Sequence, residues 1–136
     1  MELRDMSRLL YQIKLADQRV ATSFERETGF SLTRYEMLMI VNDKGVCSQS
    51  EIQQEMKIDN AAITRHLKIL EEKGHVRRER NVANNREVFV RLTETAAREL
   101  QHCEQNHDQA NHLIAKVLSE TEMQQLSALL QKLNNI

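Results

Sequence analysis

Between Asp59 and Gly74 the sequence DNAAITRHLKILEEKG places two kinds of side chain on one helical repeat. Ile63, Leu67 and Leu70 recur at spacings of four and three and form an apolar face. Asn60, Ala61, Thr64, Arg65 and Lys68 fall on the outward face. These are side chains able to read DNA. Asn can pair with adenine edges and Arg with guanine, while Ala or the Thr methyl can touch the thymine methyl. Lys68, further along, suits a phosphate. An ordinary surface helix would show the same pattern, so this face alone does not decide.

A second basic element follows. His75–Arg80 and Glu87–Leu92 read as two short strands joined by the Asn-rich connection Asn81-Val82-Ala83-Asn84-Asn85-Arg86. Arg77, Arg78, Arg80, Arg86 and Arg91 flank its tip. Alternation is expected to send Val76, Val88 and Val90 to one face and the basic residues to the other. Arg86, in the turn itself, is the candidate for entering a narrow minor groove. The formal net charge of −1 hides this asymmetry: residues 57–91 hold nine basic and five acidic residues, so they carry +4 against −5 for the remainder. A local basic stripe is what a phosphate-contacting surface needs.

The elements that must position these residues are mostly helical. The chain has 136 residues, 40% hydrophobic and 29% charged, with 4% aromatic and no Trp or Pro. Such a composition favours one globular chain packed by aliphatic side chains. Leu3, Met6, Leu10, Ile13, Val20 and Phe24 mark a long amphipathic helix ended by Gly29. Thr33-Arg34-Tyr35-Glu36 has capping-box spacing and is expected to open a second helix, apolar around Met37–Val41. Ser48-Gln49-Ser50-Glu51 opens a third, carrying Ile52 and Met56. Asp59 caps the fourth, with Ile58 packing on Ile63 as a staple. Thr93 caps a fifth helix expected to run to about Leu118, and Ser119 a sixth with Leu126, Leu129, Leu130 and Leu133 along its face.

Helix, short helix, tight turn, capped helix, Gly and basic hairpin together describe a winged helix-turn-helix. The fold class is mostly α with a small β-hairpin wing, and the terminal helices serve dimerisation. The whole of 1–136 is read as one chain. The DNA-binding lobe spans 31–92, and 1–30 and 93–136 form the dimerisation helices. Leu3, Met6, Leu10 and Ile13, with Leu126, Leu129, Leu130 and Leu133, make apolar stripes that one small domain can scarcely bury alone. No apolar run approaches bilayer length and Met1-Glu2-Leu3-Arg4-Asp5 does not begin a signal peptide, so a cytoplasmic location away from membranes is expected. A Gly-rich phosphate loop, a nucleophile–base arrangement and a cofactor motif are all missing, which argues against an enzyme.

Asp59–Gly74 followed by His75-Val76-Arg77-Arg78 resembles the recognition helix of the MarR (multiple antibiotic resistance regulator) family, which ends Leu-Glu-x-x-Gly before its first wing strand. Arg86 and Val88-Phe89-Val90-Arg91-Leu92-Thr93 resemble the second wing strand and its closing Leu-Thr. Three residues depart from the pattern. Asn84 stands for the Asp that orients the wing Arg, Gln53 for a small residue, and Ala96 for a Gly. The resemblance implies a transcription regulator, a repressor, that binds a palindromic operator in double-stranded DNA as a homodimer and is released by a small-molecule effector. Its DNA-binding residues would be Asn60, Ala61, Thr64, Arg65 and Lys68 on the helix and Arg77, Arg78, Arg80, Asn84 and Arg86 in the wing. It implies no cofactor.

Zinc or oxidant sensing on the same fold is an alternative, as is a winged-helix protein-interaction module that does not touch DNA. Cys103 and His107, four apart, could start a zinc site but need two more ligands, and helical geometry would turn His102 and His112 away. Cys47, just before the third helix, could gain thiolate character there. The sequence favours idle thiols and no metal.

Overall fold

The computed structural model describes residues 1–84, 86–108 and 112–135. In chain order the elements are α1 (Leu3–Thr28), α2 (Leu32–Lys44), β1 (Val46–Ser48), α3 (Gln49–Met56), α4 (Asn60–Glu72), β2 (Val76–Arg80), β3 (Val88–Leu92), α5 (Glu94–Gln105), α6 (Leu113–Val117) and α7 (Glu120–Asn134). The chain divides into a unit of residues 30–106 and a unit made of 1–29 and 107–136.

In the first of these, the winged helix-turn-helix expected from the sequence is present, with three local differences. The second helix starts two residues earlier than the capping-box spacing predicts. Ser31 is the N-cap, its hydroxyl accepting the Arg34 N–H. Phe30 and Tyr35, immediately outside and one turn inside that cap, meet edge to face with ring centroids 5.8 Å apart. This hydrophobic staple fixes the entry of the chain and outweighs the Thr33–Glu36 box. The second difference is a strand the sequence reading missed. Val46–Ser48 pairs with β3, Cys47 opposite Val90, to give a three-stranded antiparallel sheet in the order β1-β3-β2. Gly45, with φ 78°, turns the chain from α2 into it. Ser48 ends this strand and caps α3 through a full capping box with Glu51.

The third difference lies past the wing. Thr93 caps α5 as expected, accepting the Ala96 N–H, but the helix stops at Gln105 instead of reaching Leu118. Asn106 bonds back to the His102 carbonyl through both its backbone N–H and its side-chain nitrogen. Asn, His and Asp follow one another there, and such residues favour caps and turns over helix interiors.

The core of this unit gathers Met37, Leu38, Val41, Cys47, Ile52, Ile63, Leu67, Leu70, Val76, Val90 and Leu100 from every element between α2 and α5. Ile58, the residue expected to staple α4, is partly buried and packs against this core.

The other unit is built differently. None of α1, α6 or α7 has a buried residue. Leu3, Leu10 and Leu129 are 85, 55 and 62% exposed, and Met6, Ile13, Leu126, Leu130 and Leu133 are exposed as well. Ser119 caps α7 with the expected box to Glu122. The Glu27 carboxylate accepts the Leu113 N–H at the start of α6 (3.1 Å) and meets His112 Nδ1, while the other nitrogen of His112 meets His107. His112 therefore sits at the N-cap position of a separate helix and pairs with His107, where a continuous helix would have turned it away. Among the described residues no helix is long and apolar enough to cross a membrane.

Candidate nucleic-acid interface

The turn between α3 and α4 is tight because Lys57 adopts a left-handed conformation (φ 56°, ψ 34°), its N–H bonding back to the Gln53 carbonyl. Asp59 then caps α4, its carboxylate accepting the Ala62 N–H at 2.8 Å. Ile63, Leu67 and Leu70 are fully buried. That seating turns Asn60, Ala61, Thr64, Arg65 and Lys68 outward, and all five are exposed.

The outward row is not a set of independent side chains. Thr64 Oγ donates to the Asn60 carbonyl at 2.9 Å. Gln49 Nε2, from the start of α3, donates to Thr64 Oγ at 2.8 Å and to Asn60 Oδ1 at 3.3 Å. The sequence reading missed Gln49, since only the crossing of α3 and α4 brings together residues eleven and fifteen apart. It also missed His66. This half-buried residue of α4 has an unpartnered Nδ1, and burial, with Arg34 and Arg65 nearby, pushes its pKa below the usual 6.5.

The hairpin register divides the wing arginines in two. Val76 pairs with Leu92, Arg78 with Val90 and Arg80 with Val88, while Arg77 faces Arg91 and Glu79 faces Phe89. Directly paired residues project on the same side of a sheet. Arg78 and Arg80 thus share the valine face, contrary to the simple separation of apolar and basic sides; only Arg77 and Arg91 of the strand arginines are on the opposite, open face. Arg78 is held there by α4. Its Nη2 donates to Glu71 Oε1 at 2.9 Å and its backbone N–H to Glu71 Oε2 at 3.2 Å. The hydrogen bond and charge of Arg78 hold the Glu71 carboxyl below its usual 4.5. Thr93, closing the hairpin, donates to the Gly74 carbonyl at 2.6 Å and so ties its base to the end of α4.

At the tip, Asn81 Oδ1 accepts the Ala83 N–H and Asn84 Oδ1 the Arg86 N–H at 3.1 Å. Asn84 therefore holds Arg86 by its backbone, and both residues are exposed. Asn85 lies outside the described residues.

The two cysteines differ in setting. Cys47 is buried in the core, and desolvation, aided by the Glu51 charge, pushes its pKa up to about 11. Burial overrides any gain from the α3 N-terminus. Cys103 is half-buried, and burial followed by the Glu99 charge raises its pKa too. Cys103 and His107 fall in different units. Among the described residues no group of three or more His, Cys, Asp or Glu could hold a metal ion.

Comparison with known proteins gives concordant results. The family profile described as MarR family matches residues 30–88. The "Uncharacterized HTH-type transcriptional regulator YdgJ" of Bacillus subtilis (strain 168) is 34% identical over 129 residues, covering 94% of this chain and 79% of that protein. The "Multiple antibiotic resistance protein MarR" of Salmonella typhimurium is 27% identical over 133 residues, covering 97% and 92%. A mutant MarR from E. coli, solved in complex with operator DNA, superposes with a TM-score of 0.83 at 25% identity, over 98% of this chain and 99% of that one.

Proposed function

Because the chain belongs to the MarR family of transcriptional regulators, we propose that it is a sequence-specific repressor that binds an inverted repeat as a homodimer in the cytoplasm and is released by a small ligand. The observation that carries the reading is the exposed row Asn60, Ala61, Thr64, Arg65 and Lys68, presented by a helix whose other face is fully buried. Asn60, Thr64 and Arg65 read base edges, Lys68 and the outward Arg77 meet phosphates, and Arg86 enters the minor groove. Arg78, Arg80 and Asn84 support the wing as well as adding to its positive field.

The dimer rests on α1 and α7. Apolar stripes with no buried residue are surfaces awaiting a partner, and a two-fold copy would cover them while setting two recognition helices on successive major grooves. For the effector, the support is a half-open cavity of about 390 Å³ between α2 and α5, lined by Tyr35, Met39, Asn42, Ala97, Leu100, Gln101 and Glu104. Its apolar floor and few polar groups suit a small amphipathic or aromatic molecule. Such a molecule would act by preferring one spacing of the two recognition helices.

The test is a titration of the full chain against genomic duplexes at several salt concentrations, with its mass in solution measured alongside. A dimer that selects a palindrome is expected. A chain that binds every duplex alike, or none, would overturn the reading. Removing residues after Leu118 is expected to abolish the dimer and most of the affinity; a truncated monomer with full affinity would overturn the dimer assignment.

A further inference from the structure

Resting on that DNA-reading assignment, we propose that Gln49, outside the recognition helix, determines which base the helix accepts. The argument runs through protons. Thr64 has one hydroxyl proton, and it is committed to the Asn60 carbonyl. The hydroxyl can then only accept from Gln49, which fixes nitrogen, not oxygen, as the end of the Gln49 amide facing α4. The same nitrogen carries a second proton, directed at Asn60 Oδ1. The Asn60 amide is thereby oriented with its oxygen engaged and its NH₂ open. One backbone carbonyl sets the polarity of three side chains.

The surface offered to DNA changes accordingly. Bidentate pairing of Asn with adenine needs its oxygen to accept from the adenine amino group and its nitrogen to donate to N7. Here Gln49 engages one of the two lone pairs of that oxygen and draws it towards α3. The bidentate adenine geometry is thereby disfavoured, and Asn60 leads with its NH₂ donors, which suit guanine N7 and O6 or thymine O4 better than the amino groups of adenine and cytosine. Thr64, its hydroxyl satisfied on both sides, presents its methyl, the partner of a thymine methyl. Gln49 is a specificity-determining residue acting through Asn60 and Thr64.

The experiment selects binding sites from a pool of duplexes with a randomised centre, using the full-length wild type, Gln49→Ala, Gln49→Glu and Asn60→Ala. The base pair whose preference vanishes in Asn60→Ala identifies the Asn60 contact. There the wild type is expected to favour guanine or thymine by about tenfold over adenine and cytosine, the scale of one well-made base contact. Gln49→Ala frees the amide to rotate and should reduce that preference to less than about threefold, leaving other positions intact. Gln49→Glu can only accept. Asn60 must then turn its nitrogen towards it, exposing its oxygen, and the preference should move to adenine or cytosine. Replacing the selected thymine at the Thr64 contact by uracil should weaken wild-type binding about threefold or more through loss of the methyl contact. Urea midpoints of the variants check folding; Gln49 is the half-buried first residue of α3, outside the Ser48–Glu51 box. If all three Gln49 forms select the same base, the inference fails while the DNA-reading assignment stands. If the wild type selects no sequence at all, that assignment fails and the inference with it.

Discussion

Arg78→Ala should injure the fold more than the contact with DNA. The Arg78 side chain is 24% exposed and its partner Glu71 42%, so the pair sits between a screened surface bridge and a buried one. Removing the guanidinium loses one charge-assisted hydrogen bond, worth about 1.5–3 kcal/mol when sheltered and under about 1 kcal/mol when exposed. The stem of Arg78 lies on the apolar face of β2, and its loss adds a fraction of the roughly 0.8 kcal/mol per buried methylene. Glu71 is not left stranded, because it still accepts the backbone N–H of residue 78. The sum is a destabilisation of about 1–2 kcal/mol, which at a typical urea slope near 2 kcal/mol/M moves the midpoint by about 0.5–1 M.

The assay is urea denaturation of the wild type, Arg78→Ala, Glu71→Ala and the double variant at one fixed protein concentration. A coupling of about 0.5–1.5 kcal/mol is expected between the two sites. It should be present at neutral pH and fade in acid. The folded-state pKa of Glu71 is depressed, so the stabilisation is complete above its usual 4.5 and lost as pH falls through the lower folded value. On DNA the Arg78→Ala salt slope should stay within about half a unit per protomer of the wild type. An unchanged urea midpoint with a slope reduced by a full unit would show that Arg78 spends its charge on phosphate, and the clamp would be refuted.

Arg65→Ala should cost about 1–3 kcal/mol on the selected operator and relax one base pair per half-site, whereas Arg86→Ala should weaken all duplexes together and flatten the salt slope by about one unit per wing; titrations on operator and scrambled DNA separate the two, and an Arg86→Ala protein with unaltered slope would remove the hairpin from the interface. Cys47 should resist alkylation at pH 8 until the protein is unfolded, since its pKa is about 11 and its side chain is buried; rapid labelling of the native protein at this site would contradict that. His66 has a depressed folded-state pKa, so below its usual 6.5 the unfolded chain binds more protons and stability should fall as pH drops from 7 to 5. His66→Gln should flatten that decline in urea midpoints, and an identical decline in both proteins would exclude His66 as its source. Lys57→Gly should raise stability by up to about 1 kcal/mol by relieving the left-handed backbone, and a lower midpoint would mean that the contacts of the Lys57 side chain outweigh the strain.

What the sequence disclosed was whatever repeats with the period of its own element. The buried face of α4 and its outward row follow from spacing within one helix, and the caps at Ser48, Asp59, Thr93 and Ser119 from side chains three residues from their targets. Parity along β2 also puts Val76, Arg78 and Arg80 on one face; the adjacent basic residues obscured it by inviting a reading of the hairpin as one charged surface. The start of α2 depended on a contest between the Thr33 box and the Phe30–Tyr35 staple, which only packed rings decide. Strand β1 was hidden because three residues have no period to detect and form a strand only by pairing with β3. Gln49 was invisible for a related reason, as its partners come from another helix.

The charge distribution and these contacts bear on the same question of how a protein of net charge −1 approaches a polyanion. Acidic residues within the basic segment are not distributed as general ballast. Asp59 caps α4 and Glu71 holds Arg78, so each compensates a local charge or dipole. Glu87 accepts from the Asn81 side chain and helps close the wing tip. Arg65, Lys68, Arg77 and Arg91 make no ion pair among the described residues, and Arg77 and Arg91 stand directly opposite each other across the hairpin. Like charges in that position destabilise a sheet. Placing them on its open face keeps the cost small in salt water, where exposed charges are screened, while leaving their field available to a phosphate. The segment therefore uses three of its five carboxylates to build the helix and wing and leaves selected cations unneutralised. With the remainder of the chain at −5, the attraction for a polyanion is concentrated on the segment proposed to meet it, so the asymmetry would orient the encounter as well as strengthen it.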